Sequence, residues 1–137
     1  MIKTQCACMR VRRAARTVTA LYDRALEGTG LKITQFSVLR TIGRMEGASI
    51  SELAEELALD RSTLGRNLIP LTRRGLVRLS GGADLRQRTA SLTPKARKVI
   101  EACLPAWEGA QAKVTQSIGE RGISQLFKLL EELEEMA

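Results

Sequence analysis

Between residues 60 and 90 every basic side chain is an arginine: Arg61, Arg66, Arg73, Arg74, Arg78, Arg86 and Arg88. A guanidinium is a flat fork of donors that meets a phosphate or a guanine edge with paired hydrogen bonds. A merely solvated face more often mixes lysine with glutamate. Seven arginines against Asp60 and Asp84 leave this stretch at +5, with Ser62, Thr63 and Asn67 interleaved as small polar donors. The chemistry on offer is non-covalent recognition of a polyanion. Covalent chemistry has little to work with, because the chain has no histidine. That removes Ser-His-Asp and Cys-His catalysis, His-ligated zinc and the usual proton shuttle, so no enzymatic activity is expected. Aromatic residues make up only 3%, too few for a binder that stacks unpaired bases on aromatic platforms.

The charge is distributed in blocks. Residues 1–26 carry six basic and one acidic residue, net +5, while residues 119–137 carry two basic and five acidic, net −3. Across all 137 residues, 22 Lys+Arg against 15 Asp+Glu give +7, which suits a nucleic-acid partner. The length is that of one domain, and 44% hydrophobic content supports an ordinary globular core. No run of 18 apolar residues exists and the N-terminus lacks an apolar signal segment, so neither a membrane partner nor secretion is expected; the expected location is the cytoplasm.

Hydrophobic spacing supplies the elements that hold these side chains. Residues 5–27 read as a helix through Ala14, Val18, Leu21, Tyr22 and Ala25, ended by Gly28 and Gly30. Thr34 is the expected N-cap of a second helix through Arg44. Ser49 and Glu52 form a capping-box pair ahead of a short helix carrying Ile50, Leu53, Ala54 and Leu57. Asp60 caps the next helix, whose stripe Leu64, Leu68 and Leu71 leaves Arg61, Ser62, Thr63, Arg66 and Asn67 mainly on the other side. Gly65 and Pro70 lie inside it, and Pro70, lacking a backbone N–H, is expected either to bend it or to sit in a final turn packed firmly enough to tolerate it. Residues 76–80 and 87–92 read as two strands of a ribbon with its tip at 81–86. Thr93-Pro94 opens a further helix, with Pro105 expected to kink it and Gly119 and Gly122 to bracket a turn before a last helix ending in Glu131, Glu132, Glu134 and Glu135.

A short helix, a turn, a second helix opening on Arg, Ser and Thr, and then a basic hairpin make a winged helix-turn-helix. A helix fits the major groove of duplex DNA and its N-terminal residues reach base edges. On that reading Ser62 and Thr63 donate to phosphates, Arg66 reaches guanine and Arg86 enters a minor groove. The residues Gln35-Phe36-x-Val38-Leu39, Glu52-Leu53-Ala54, Asp60-Arg61-Ser62-Thr63-Leu64, Leu71 followed by Gly75-Leu76-Val77, Asp84-x-Arg86 and Leu92-Thr93 resemble the MarR family of bacterial transcriptional regulators over nearly the whole chain. The resemblance implies a mainly α fold with a two-stranded β wing. Residues 1–33 and 106–137 would be dimerisation helices and 34–105 the winged-helix DNA-binding region. It implies a homodimer on a pseudo-palindromic operator, with Arg86 in the minor groove and Asp84 positioning nearby arginines. It also implies a repressor released by a small phenolic or lipophilic effector. The expected DNA-binding set is Arg61, Ser62, Thr63, Arg66, Asn67, Arg73, Arg74, Asp84, Arg86 and Arg88.

Tyr22, Phe36 and Trp107 are the candidates for an effector pocket, although aromatics at helical spacing are more often core. Cys6, Cys8 and Cys103 are odd in number, which implies no disulfide framework. Cys6 and Cys8 stand among Lys3, Arg10, Arg12 and Arg13, and such cations favour a reactive thiolate, so these cysteines are candidates for sensing oxidants, with Cys103 or a second chain as partner. Three such cysteines supply too few ligands for zinc, and no metal or cofactor is expected. Two other readings stand beside a sequence-specific regulator: a winged helix that docks on protein, and a protein that coats DNA without preference.

Overall fold

Local signals set most helix starts. The computed structural model describes residues 5–82, 84 and 86–137; Lys3 and, in the expected wing tip, Ala83 and Leu85 lie outside the described residues. Helix α1 spans Ala7–Ala25. Helix α2 spans Ile33–Arg44 and begins two residues earlier than the Thr34 cap predicts. Lys32 takes the cap position in extended backbone, and Gln35 reaches back so that its Oε1 accepts from the Lys32 N–H at 3.0 Å. The third helical side chain thus satisfies a donor that the helix leaves unpaired. Helix α3 (Ile50–Glu56) starts on the predicted box: Ser49 Oγ accepts from Glu52 N–H at 3.1 Å and Glu52 Oε1 from Ser49 N–H at 3.0 Å. Helix α4 (Arg61–Arg73) starts on Asp60, whose Oδ1 accepts from Thr63 N–H at 2.7 Å.

Strands β1 (Val77–Ser80) and β2 (Thr89–Leu92) pair antiparallel, Val77 opposite Leu92 and Ser80 opposite Thr89, and both are shorter than the sequence pattern suggests. The ribbon is also pinned sideways. Thr89 bridges Ser49, and the Arg88 carbonyl accepts from Ile50 N–H at 2.8 Å. At the tip Gly81 sits at φ 97, and a Cβ there would lie 3.1 Å from the Gln87 carbonyl oxygen, so only glycine fits without strain.

Helix α5 (Pro94–Glu134) runs through Pro105 without a break and kinks at Gly119 (φ 79, ψ 163), which divides it into two helices where the sequence expects a last helix to begin; Gly122 already lies inside the second. Pro70 likewise leaves α4 running to Arg73. Each proline removes a single donor, which the rest of the helix tolerates; Gly119 takes a backbone conformation that other residues rarely adopt.

Contacts divide the chain into two compact units, Met1–Ala25 with Pro105–Ala137, and Leu26–Leu104. The second unit has a dense core: Phe36, Leu39 and Ile42 of α2, Leu53 of α3, Leu64, Leu68 and Leu71 of α4, and Leu76 beside β1 are all at most 1% exposed. Helix α2 packs closely on β2, where a Cβ on Gly43 would come 2.8 Å from a Leu92 methyl. The first unit buries only Tyr22 and Ala110 among its described apolar residues, and leaves Val11, Val18, Leu126, Phe127 and Leu133 exposed.

The turn between α3 and α4 carries Ala58 at φ 54, held by hydrogen bonds from Ala58 N–H to Glu55 O (3.1 Å) and Leu59 N–H to Ala54 O (2.9 Å). Left-handed backbone costs an L-residue about 1–2 kcal/mol, against roughly 0.4–1 kcal/mol of added unfolded-chain entropy for glycine. Ala58→Gly is therefore expected to raise stability by up to about 1 kcal/mol, read as a higher midpoint in chemical denaturation.

Candidate nucleic-acid interface

Burying Leu64, Leu68 and Leu71 fixes which way α4 faces. Arg61, Ser62, Arg66 and Asn67 are exposed together and Thr63 is half-buried. The helix is thus an arginine-bearing ridge with a leucine keel. Thr63 does two jobs: its N–H closes the Asp60 cap, and its Oγ1 accepts from Arg66 Nη2 at 3.3 Å. That contact holds the Arg66 guanidinium along the helix rather than free in solvent. Gly65 has nothing within 4 Å of a built Cβ, so the helix surface there is low and open.

The wing brings Arg86 to the same region. A groove of about 520 Å³ is lined by Ser51, Ala54, Glu55, Leu59, Asp60, Arg61 and Arg86, so α3, the start of α4 and the wing share one opening. Asp84 shapes the tip as an Asx turn. Its Oδ1 accepts from Arg86 N–H at 2.9 Å, and its carbonyl accepts from the N–H groups of Gln87 and Arg88 at 3.0 Å each. The aspartate therefore positions Arg86 through the backbone and not by a salt bridge to its guanidinium.

Other arginines of the expected set lie elsewhere. Arg74 is a fastening of the fold. Its Nη1 donates to Gly30 O at 2.8 Å, and its own carbonyl accepts from Lys95 Nζ at 2.9 Å. Arg73 and Arg74 stand at the far end of α4, about 18 Å from Arg61 at the usual helical rise. Arg88 is half-buried with its Nε enclosed and unpaired, as is Ser51 Oγ. Sequence reasoning missed Thr93 as a site-positioning residue: beyond capping α5 through Ala96 N–H (3.1 Å), its hydroxyl donates to Gly75 O at 2.6 Å. The Thr-Pro signal shows only the first role.

Phe36 is core of the second unit, at 1% exposed, with the Arg40 guanidinium 5.7 Å from its ring centre. Tyr22 and Trp107 belong to the first unit. Burial raises the Tyr22 pKa, and its hydroxyl donates to Gln111 Oε1. Cys6 and Cys8 are exposed at the start of α1, whereas Cys103 is fully buried. Among the described residues no cluster of three His, Cys, Asp or Glu side chains is placed to hold a metal, and no helix is long and apolar enough to cross a membrane.

Asp60 and Glu52 both have pKa values below the usual carboxylate range, because backbone N–H groups donate to them, from Thr63 and Ser49 respectively. A depressed folded-state pKa stabilises above the unfolded value and is lost as pH falls through the folded one. Thermal melts should therefore drop below about pH 4. Asp60→Asn keeps a capping oxygen; its deficit against the native chain should shrink between pH 7 and pH 3, and a deficit constant with pH would count against the charged cap.

A family model described as MarR family matches residues 29–87. No curated protein matches the chain by sequence. Among solved structures, the transcriptional regulator MosR of M. tuberculosis is 39% identical, with 98% of each chain covered and a TM-score of 0.82. MosR in complex with DNA matches at 40% identity over 96% of this chain and 99% of that one, with a TM-score of 0.81. A probable transcriptional regulator from Pseudomonas aeruginosa matches at 25% identity over 97% and 99% of the two chains, with a TM-score of 0.83.

Proposed function

The chain belongs to the MarR family of transcriptional regulators, and from that premise we propose that it is a homodimeric repressor which binds a pseudo-palindromic duplex operator in the cytoplasm. It works by binding and not by catalysis. The observation that carries this reading is Arg61, at the start of α4, lining one groove with the wing's Arg86, on a helix whose Ser62, Arg66 and Asn67 are exposed. A ridge of helical width suits the major groove, and a guanidinium on a narrow ribbon suits the minor groove. The solved DNA complex of a 40% identical regulator supports the same partner. Of the remaining arginines, Arg73 and Arg88 fit phosphate contacts at the edge of the interface.

Dimerisation is supported by the first unit, whose exposed Val11, Val18, Leu126, Phe127 and Leu133 lack a core of their own. Such a patch on a regulator is normally covered by protein. A phenolic or lipophilic effector remains the expected releasing signal, with Tyr22 on the apolar groove of the first unit and Trp107 half-buried nearby in sequence on α5 as its aromatic candidates.

One observation favours oxidation as a second releasing signal. Cys6 and Cys8 are exposed beside Arg10, Arg12 and Arg13, and the Cys6 carbonyl accepts the first-turn hydrogen bond of α1 from Arg10 N–H at 3.1 Å. Hydrogen peroxide would convert one thiol to a sulfenic acid with release of water, and an exposed thiol of a second chain would displace another water to close a disulfide, Cys103 being buried. The double variant Cys6→Ser, Cys8→Ser should keep DNA binding and lose its response to peroxide; release that persists in it would reject thiol sensing.

Salt titration tests the main reading. A dimer neutralising roughly 6–10 phosphates should lose about 10³–10⁵ in affinity between roughly 50 and 200 mM salt. It should also prefer its selected operator over random duplex by about 10³ or more. A protein-docking winged helix would lack the slope, and a DNA-coating protein would lack the preference. Arg86→Ala should weaken binding to all sequences, while Arg66→Ala should cost about 1–3 kcal/mol at the operator and relax one base position. Equal losses on operator and random DNA for Arg66→Ala would contradict its role as a base reader.

A further inference from the structure

Among the described residues, the second unit leaves one large apolar side chain exposed, and it stands on α4: Ile69, at 47%. Single apolar residues on a surface are ordinary. The register of this one is not. Side chains three and four apart share a helix face, so Ser62, Arg66, Ile69 and Arg73 form one row along α4. All four are exposed, and the row lies opposite the buried Leu64, Leu68 and Leu71. Ile69 is thus the apolar member between two guanidinium-bearing neighbours. Folding gains little from it there, because a β-branched side chain is a mediocre helix former and this one stays half in water. Helical side chains lean toward the N-terminus, so Ile69 covers the turn that holds Gly65. A Cβ at Gly65 would have nothing within 4 Å. The surface beside the isoleucine is therefore low, and a flat base edge can come close to it.

An isoleucine side chain carries neither donor nor acceptor. In the major groove the apolar feature that a base presents is the 5-methyl group of thymine. We propose that Ile69 is a specificity-determining residue that meets a thymine methyl in each half-site, beside the guanine that Arg66 reads. This deepens the DNA-binding reading above and rests on it. Ile69 lies about 4.5 Å along the helix from Arg66, and one base step is about 3.4 Å, so the two side chains reach positions within about two base pairs of one another. Arg73, about 6 Å further on, stays with the phosphates. An amino group of cytosine or adenine set against Ile69 would lose its water without gaining an acceptor. The residue therefore selects against those bases as well as for thymine.

The test uses the full-length native chain and the variant Ile69→Ala on the operator selected from random duplex. Each thymine of a half-site is replaced singly by deoxyuridine, which removes the methyl and keeps every hydrogen-bonding group. At one thymine within about two base pairs of the guanine where Arg66→Ala loses its preference, the replacement should weaken native binding about fourfold per half-site, the worth of one buried methyl. The same replacement should leave the affinity of Ile69→Ala unchanged. Because Ile69 is exposed, the variant should melt with the native chain, so the comparison is between two folded proteins. No sensitive thymine near that guanine, or a loss that persists in full in Ile69→Ala, overturns the assignment while leaving DNA recognition through Arg66 and Arg86 in place. A native chain that selects no preferred duplex removes the regulator reading and the role of Ile69 with it.

Discussion

The molecule depends on the burial of one leucine row. Leu64, Leu68 and Leu71 are at most 1% exposed, and that orientation alone turns Arg61, Arg66 and Asn67 outward. Arg61, Arg66 and Arg73 stand five and seven residues apart, off the three- and four-residue spacing at which side chains of a helix meet, so their charges do not hold the helix together. Its hydrophobic face does, with three buried leucines at about 1.5–3 kcal/mol each. The charge is left unpaired on the surface, where a polyanion is the natural counterpart.

The second unit is built to keep that row in place. Helix α2 supplies Phe36, Leu39 and Ile42 to the core, and lacks a β-carbon at Gly43 where Leu92 approaches. The ribbon is held by both β1 and the start of α3, through the Ser49–Thr89 bridge and the Ile50–Arg88 hydrogen bond. The wing arginine is thus carried on a ribbon fixed to the start of α3, which packs against α4. The first unit follows a different logic, having α1, the parts of α5 on either side of Gly119 and almost no interior among its described residues. Its stability is expected to come from association.

Much of this was readable from the chain itself, and the reasons are local. Ser49 with Glu52, Asp60, and Thr93 with Pro94 mark helix starts because their side chains bond backbone groups within four residues. The family resemblance then placed the wing and the reading helix. What local chemistry could not show was long-range. Arg74 looks like its neighbours until the fold brings Gly30 to it across 44 positions. Phe36 and Cys103 look usable until packing encloses them. The α2 start was misplaced at Thr34 because Gln35 competes for the same unpaired donors. Pro105 was overvalued as a disruption beside Gly119, where φ is 79.

The far end of α4 is moored to the opening of α5 through Thr93 and Lys95, which bond the Gly75 and Arg74 carbonyls. With Leu64, Leu68 and Leu71 buried along its length, α4 is held as one rigid rod. Over the roughly 18 Å of α4, a tilt of about 5° at the mooring displaces the opposite tip by about 1.6 Å. Hydrogen bonds to a base edge do not survive a shift of that size. The bonds from Thr93 and Lys95 therefore help fix the angle of α4 and, with it, the position of Arg61 at the opposite end.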